Sequence, residues 1–117
     1  MNGTGGWGAG RDGYEPVALV SDVPDGVLHS AELRNGDRVC LINQLGEIHA
    51  VSDTCTHQDF PMCDGSLLPG NVIECVWHGT RFDFTTGAVL SPPADRPLPV
   101  YHVRVEDGDI LVGPVKQ

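Results

Sequence analysis

Residues 55–84 read CTHQDFPMCDGSLLPGNVIECVWHGTRFDF, a stretch that carries two short patterns, Cys55-Thr56-His57 and Cys75-Val76-Trp77-His78. Seventeen residues separate His57 from Cys75. Each pattern offers one thiolate and one imidazole. Pro69-Gly70-Asn71 interrupts the segment between them and turns the chain into Val72–Trp77, a run with strand character. Arg81–Phe84 reads as the next strand, followed by a turn at Thr86-Gly87. Both patterns therefore sit in loops beside strands, and two such loops at the tip of a sheet can converge on one metal site.

The rest of the chain reads as more short strands between turn signals. Pro16–Val20 is the first, and Arg38–Asn43 turns through Gln44-Leu45-Gly46 into Glu47–Ser52 as a hairpin. Leu98–Glu106 alternates, with Val100, His102, Arg104 and Glu106 on one face and Tyr101, Val103 and Val105 on the other. Asp107-Gly108 closes a last hairpin onto Asp109–Val112. Ser30–Leu33 reads as a brief helical turn, and no long amphipathic helix is expected. Residues 1–14 are glycine-rich without periodicity and are expected to form a flexible tail. Residues 15–117 are expected to form one all-β domain, a small antiparallel sandwich or barrel.

Composition narrows the function classes. A chain of 117 residues has little interior in which to enclose a substrate and separate catalytic machinery, which favours a carrier, subunit or binding module. Its formal net charge is −9. Such a surface repels nucleic-acid phosphates and anionic lipid alike, but suits brief steering onto a basic patch of another protein. No apolar run opens the chain and none is long enough to span a membrane, so a cytoplasmic protein is expected. The four cysteines, Cys40, Cys55, Cys63 and Cys75, then read as ligands or core residues rather than as a disulfide frame.

The mixture of ligands within each pattern carries the chemistry. A zinc finger pairs Cys with Cys and His with His, whereas here each loop supplies one of each. That suits a two-iron cluster in which one iron takes both thiolates and the other both imidazoles. A structural zinc module is the competing reading of the same four residues.

The pattern C-x-H, seventeen residues, C-x-x-H resembles the Rieske family, especially the ferredoxins of bacterial aromatic-ring dioxygenases. The likeness runs from Pro16 to Val112 and includes His78-Gly79-Thr80-Arg81-Phe82-Asp83, Thr86-Gly87 and Ser91-Pro92-Pro93-Ala94. It implies one [2Fe-2S] cluster per chain with Cys55, His57, Cys75 and His78 as its ligands, in a cluster-binding subdomain of two loops at the tip of a Rieske-like sandwich or barrel. Phe60, Trp77, Thr80 and Pro92 would lie around the cluster, with Pro92 in a proline loop that covers it. An oxidised two-iron, two-sulfide core is neutralised by two thiolates and left at −2 by four, so neutral imidazoles raise the potential. Family members of high potential carry a disulfide between the two loops, at positions that hold Phe60 and Trp77 here. They also place a tyrosine where this chain has Phe82 and a serine where it has Thr80. The resemblance therefore implies a potential at the low end of the range, about −150 mV.

The same resemblance implies a one-electron carrier that catalyses no reaction itself. It would take electrons from a flavoprotein NAD(P)H reductase and pass them to a terminal non-heme iron oxygenase of aromatic hydrocarbon catabolism, as a monomer. The small Rieske-type subunit of a nitrite reductase is an alternative. So is an oxygenase's own Rieske domain, although with Gln117 five residues past the last expected strand no catalytic domain is expected to follow.

The remaining candidates have plainer readings. Cys40 shares a strand face with Ile42 and reads as a small buried residue, and Cys63 as a structural loop residue. His29, His49 and His102 stand apart from any carboxylate at motif spacing. Asp53, Asp59 and Asp64 flank the first loop as a rim that is either solvated or turned to a basic partner.

Overall fold

Strand β3 (Arg38–Gln44) has five consecutive buried residues, Val39 to Asn43, where a strand with one wet face would alternate. The computed structural model, which describes residues 13–55, 61–76, 79–91 and 96–116, shows why. Val39 and Leu41 point into one core, with Ala31, Ala50, Ile110 and Val112. Cys40 and Ile42 point the other way, into a second core with Val51, Ile73, Phe82 and Phe84. The first core fills a curled six-stranded sheet, and the second lies between that sheet and a smaller one. Burying each large apolar side chain in these layers contributes about 1.5–3 kcal/mol.

The large sheet is antiparallel and joins β1 (Glu15–Leu19), β2 (Leu28–Glu32), β3, β4 (Glu47–Ser52), β8 (Val100–Glu106) and β9 (Asp109–Val115) in the order β1-β9-β8-β4-β3-β2. Its two edges meet, because β1 contacts β2 and the Arg34 N–H donates to Glu15 Oε1 at 2.8 Å. The result is a nearly closed barrel, which removes exposed edges. The small sheet is β5 (Ser66–Leu68), β6 (Val72–Glu74) and β7 (Arg81–Asp83), also antiparallel.

Two expectations need correction. Ser30–Leu33 is not a helical turn: Leu28–Glu32 pairs with β3 along its whole length, and the hydrogen-bonded edge outweighs the weak local helical preference. Val72–Trp77 is a strand only as far as Glu74, because the chain leaves the sheet at Cys75. The β3–β4 hairpin turns at Leu45 and Gly46, both with positive φ, and the β8–β9 hairpin does the same at Asp107 and Gly108. The Tyr14 ring lies under the Arg104 guanidinium at 4.2 Å. Among the described residues no helix is long and apolar enough to cross a membrane.

Candidate metal centre

Two loops at the small-sheet end carry the candidate ligands, and each is pinched shut at its base by backbone hydrogen bonds. The first leaves β4 at Ser52. Asp53 closes it: its carbonyl accepts from the Met62 N–H at 2.6 Å, and its carboxylate Oδ1 accepts from the Cys63 N–H at 2.9 Å. Thr54 and Pro61 bridge just above. Cys55 follows, 3% exposed. The second loop is the connection between β6 and β7. The Cys75 N–H donates to the Thr80 carbonyl at 2.7 Å, and beneath it Glu74 pairs with Arg81 through the backbone and through a 2.9 Å ion pair. Cys75 is 1% exposed.

The loops are brought together at Gly65, just after the 3-10 turn Met62–Asp64. Its backbone lies so close to the chain before Cys75 that a Cβ there would sit 1.9 Å from the Glu74 carbonyl oxygen. Only glycine permits that approach. Cys55 and Cys75 consequently enter one buried cluster with Met62, Phe82 and Leu98. Leu90 and Ser91 tie a third segment to the start of β7, beside the second ligand loop. The Ser91 hydroxyl accepts from the Arg81 N–H at 3.0 Å, and the Leu90 N–H donates to the Arg81 carbonyl at 2.8 Å.

Thr80 is fully buried, and its hydroxyl has no hydrogen-bond partner among the described residues. A buried hydroxyl is rarely left this way unless a group outside the polypeptide completes it. Two buried cysteines from converging loops, next to an unpartnered hydroxyl donor, fit a sulfide-containing cluster, whose bridging sulfides accept hydrogen bonds. Phe82 is buried beneath and offers no such donor. His57, Phe60, Trp77, His78 and Pro92, with Asp59, lie outside the described residues.

Several flanking residues take roles that their sequence context did not announce. Asp53 is not a rim residue: it is 4% exposed, accepts from the Ser30 hydroxyl at 3.0 Å and pairs with Arg38 at 3.7 Å. Asp64 is exposed, as a rim requires. His49 has a carboxylate after all, Glu47 at 3.3 Å, and lies against the Phe84 ring. Cys63 packs beside Cys40, and the hydrogen bond between the two thiols, with burial, pushes the Cys40 thiol above its ordinary range. Asp83 holds the turn after β7, accepting from the Thr85 N–H and the Thr86 N–H. Burial would raise its pKa, but these hydrogen bonds outweigh it and hold the carboxyl below its ordinary value. Among the described residues, an open cleft of about 600 Å³ between Thr85, Leu98 and Lys116 is lined by no cysteine, histidine or acid.

Comparison with known proteins agrees with this geometry. The family described as the Rieske [2Fe-2S] domain matches residues 13–102. The biphenyl dioxygenase ferredoxin subunit of Pseudomonas sp. (strain KKS102) is 40% identical over 103 residues, covering 85% of this chain and 90% of that protein. A chain in the complex of reduced oxygenase and oxidised ferredoxin of carbazole 1,9a-dioxygenase superposes with a TM-score of 0.82 at 30% identity, covering 92% of this chain and 99% of that one. A Mycobacterium tuberculosis protein assigned provisionally as the small subunit of an NADH-dependent nitrite reductase superposes with a TM-score of 0.78, over 89% of this chain and 96% of that one, but at 22% identity this likeness concerns the fold alone. With two buried cysteines on converging loops and a family match across most of its length, the chain belongs to the Rieske [2Fe-2S] family.

Proposed function

We propose that the protein is the ferredoxin component of an aromatic-ring dioxygenase system, a one-electron carrier that transforms no organic substrate itself. The observation that carries this is the convergence of Cys55 and Cys75, from two loops closed at their bases, into one buried cluster beside Thr80, whose hydroxyl has no partner among the described residues. The two thiolates would hold one iron, and His57 and His78 the other. When bound, the cluster accepts and releases one electron at a time.

The polypeptide's part is to orient and shelter. Asp53 and Gly65 set the loop bases, Cys55 and Cys75 are buried away from water, and the Thr80 hydroxyl, without a partner among the described residues, would donate to a sulfide. Around the loops, Val76 is 57% exposed and Leu90 52% exposed. Apolar side chains in an acidic surface suit a transient face for a terminal oxygenase on one side of the exchange and a flavoprotein NAD(P)H reductase on the other. The protein acts as a cytoplasmic monomer in this reading.

Electron paramagnetic resonance of the anaerobically purified, dithionite-reduced protein tests the assignment. A rhombic signal with an average g of about 1.9 is expected for a cluster with imidazoles on its reducible iron. A spectrum of the all-cysteine type would overturn the ligand set. Zinc without iron, unchanged by anaerobic reconstitution, would overturn the carrier.

A further inference from the structure

Cys40 and Cys63 belong to neither ligand pair, yet the fold places them together. Cys40 lies in the middle of β3 and is fully buried, whereas Cys63 lies in the 3-10 turn Met62–Asp64 and is partly exposed. Their sulfurs and the Asp53 carboxylate lie within 4.8 Å of one another. The carboxylate is already engaged by the Ser30 hydroxyl, the Cys63 N–H and the Arg38 guanidinium, so the two thiols are left facing each other.

We propose that Cys63 and Cys40 form a reversible intramolecular disulfide when the protein meets a hydroperoxide. Cys63 reacts first because it is the partly exposed residue of the two, whereas Cys40 is fully buried. Its sulfur attacks the peroxide, the O–O bond breaks, and a sulfenic acid and water (or alcohol) result. The Cys40 sulfur then attacks the sulfenic sulfur, forming the S–S bond and expelling the oxygen as a second water. Two thiols are oxidised and one peroxide is reduced, with no other reactant. The sulfurs must close to about 2.05 Å. The short 3-10 turn can take up that movement, whereas β3 is held between β2 and β4.

The bridge would tie the turn that follows the first ligand loop to the central strand of the barrel. Cys55 and His57 would lie inside the closed ring of chain, and Cys75 and His78 outside it. It differs from a bridge between the two ligand loops, whose positions hold Phe60 and Trp77.

The cluster-loaded protein is titrated with hydrogen peroxide under argon, alkylated, and mapped by mass spectrometry without reduction. The expected main product is a Cys40–Cys63 linked peptide, lighter by two hydrogens and lost on treatment with dithiothreitol. In Cys40→Ala, Cys63 should instead accumulate as a sulfenic acid that a dimedone-type reagent traps. A main product that links Cys55 to Cys75, a sulfinic acid at Cys63 beside unmodified Cys40, or a Cys63 that resists peroxide would each overturn the proposal. These readouts are independent of the ligand assignment of the cluster.

Discussion

Gly65 and Glu74 touch backbone to backbone, leaving no room for even a methyl group on Gly65. The contact joins the end of the first ligand loop to the start of the second, so it sets the distance between Cys55 and Cys75. Gly65 has no positive φ, and its requirement is purely one of space. Gly65→Ala should therefore separate the loops, costing at least about 1–3 kcal/mol of stability and lowering the iron bound per chain. Denaturant unfolding and iron analysis would check this. A fully loaded, equally stable Gly65→Ala protein would contradict it.

Thr80→Val separates the cluster role of its hydroxyl from a structural one. The hydroxyl is buried without a protein partner among the described residues, so removing it should leave the melting temperature unchanged or raised. If it donates to a sulfide, the same change should lower the reduction potential, because the reduced cluster loses a donor. Voltammetry and a thermal scan together decide the matter. An unchanged potential with lost stability would show that the hydroxyl serves the polypeptide.

The imidazole ligands make a charge prediction. His57→Cys with His78→Cys replaces two neutral ligands by two thiolates, adding two negative charges to the site. The potential of the double variant should fall by a few hundred millivolts, toward the plant-type range. An unchanged or higher potential in a variant that keeps its cluster would refute the assignment.

Asp83 predicts a pH dependence with a definite sign. Its folded pKa lies below the unfolded value, so its contribution is present above the unfolded pKa and is lost as pH falls through the lower folded value. Asp83→Asn should lower the melting temperature by a few degrees at neutral pH. The gap between variant and parent should close in strong acid. A gap that persists there would mean that the turn is held by shape and not by the charge.

Val76 tests the docking face. Val76→Ser, which removes apolar contact surface without adding charge to the ligand loop, should slow electron transfer to the oxygenase severalfold while leaving the potential and the spectrum of the cluster nearly unchanged. An unaltered transfer rate would place the contact elsewhere.

The ligand patterns and most strands were legible in the chain because both are local. Cys55-Thr56-His57 and Cys75-Val76-Trp77-His78 announce themselves by residue type and spacing, and Gly46 and Asp107-Gly108 mark hairpins by backbone preference. Strand β2 was not legible: Leu28–Glu32 has weak strand character and is held by the edge of β3, a partner that local composition cannot reveal.

What only the tertiary structure decided was which distant residues meet. Asp53 looked like part of an acidic rim, but long-range contacts with Ser30, Arg38 and Cys63 turn it into the buried clasp of the first loop. Nothing near Gly65 in the sequence marks it out, and its role arises because Glu74 is folded against it. Cys40 and Cys63 looked unrelated, and their pairing arises because the small sheet and its loops pack across the outer face of β3. Spacing along the chain determined which residues can ligate a metal, since that depends on neighbours a few positions away. How the loops are held, and which thiols face each other, depends on packing between segments far apart in sequence.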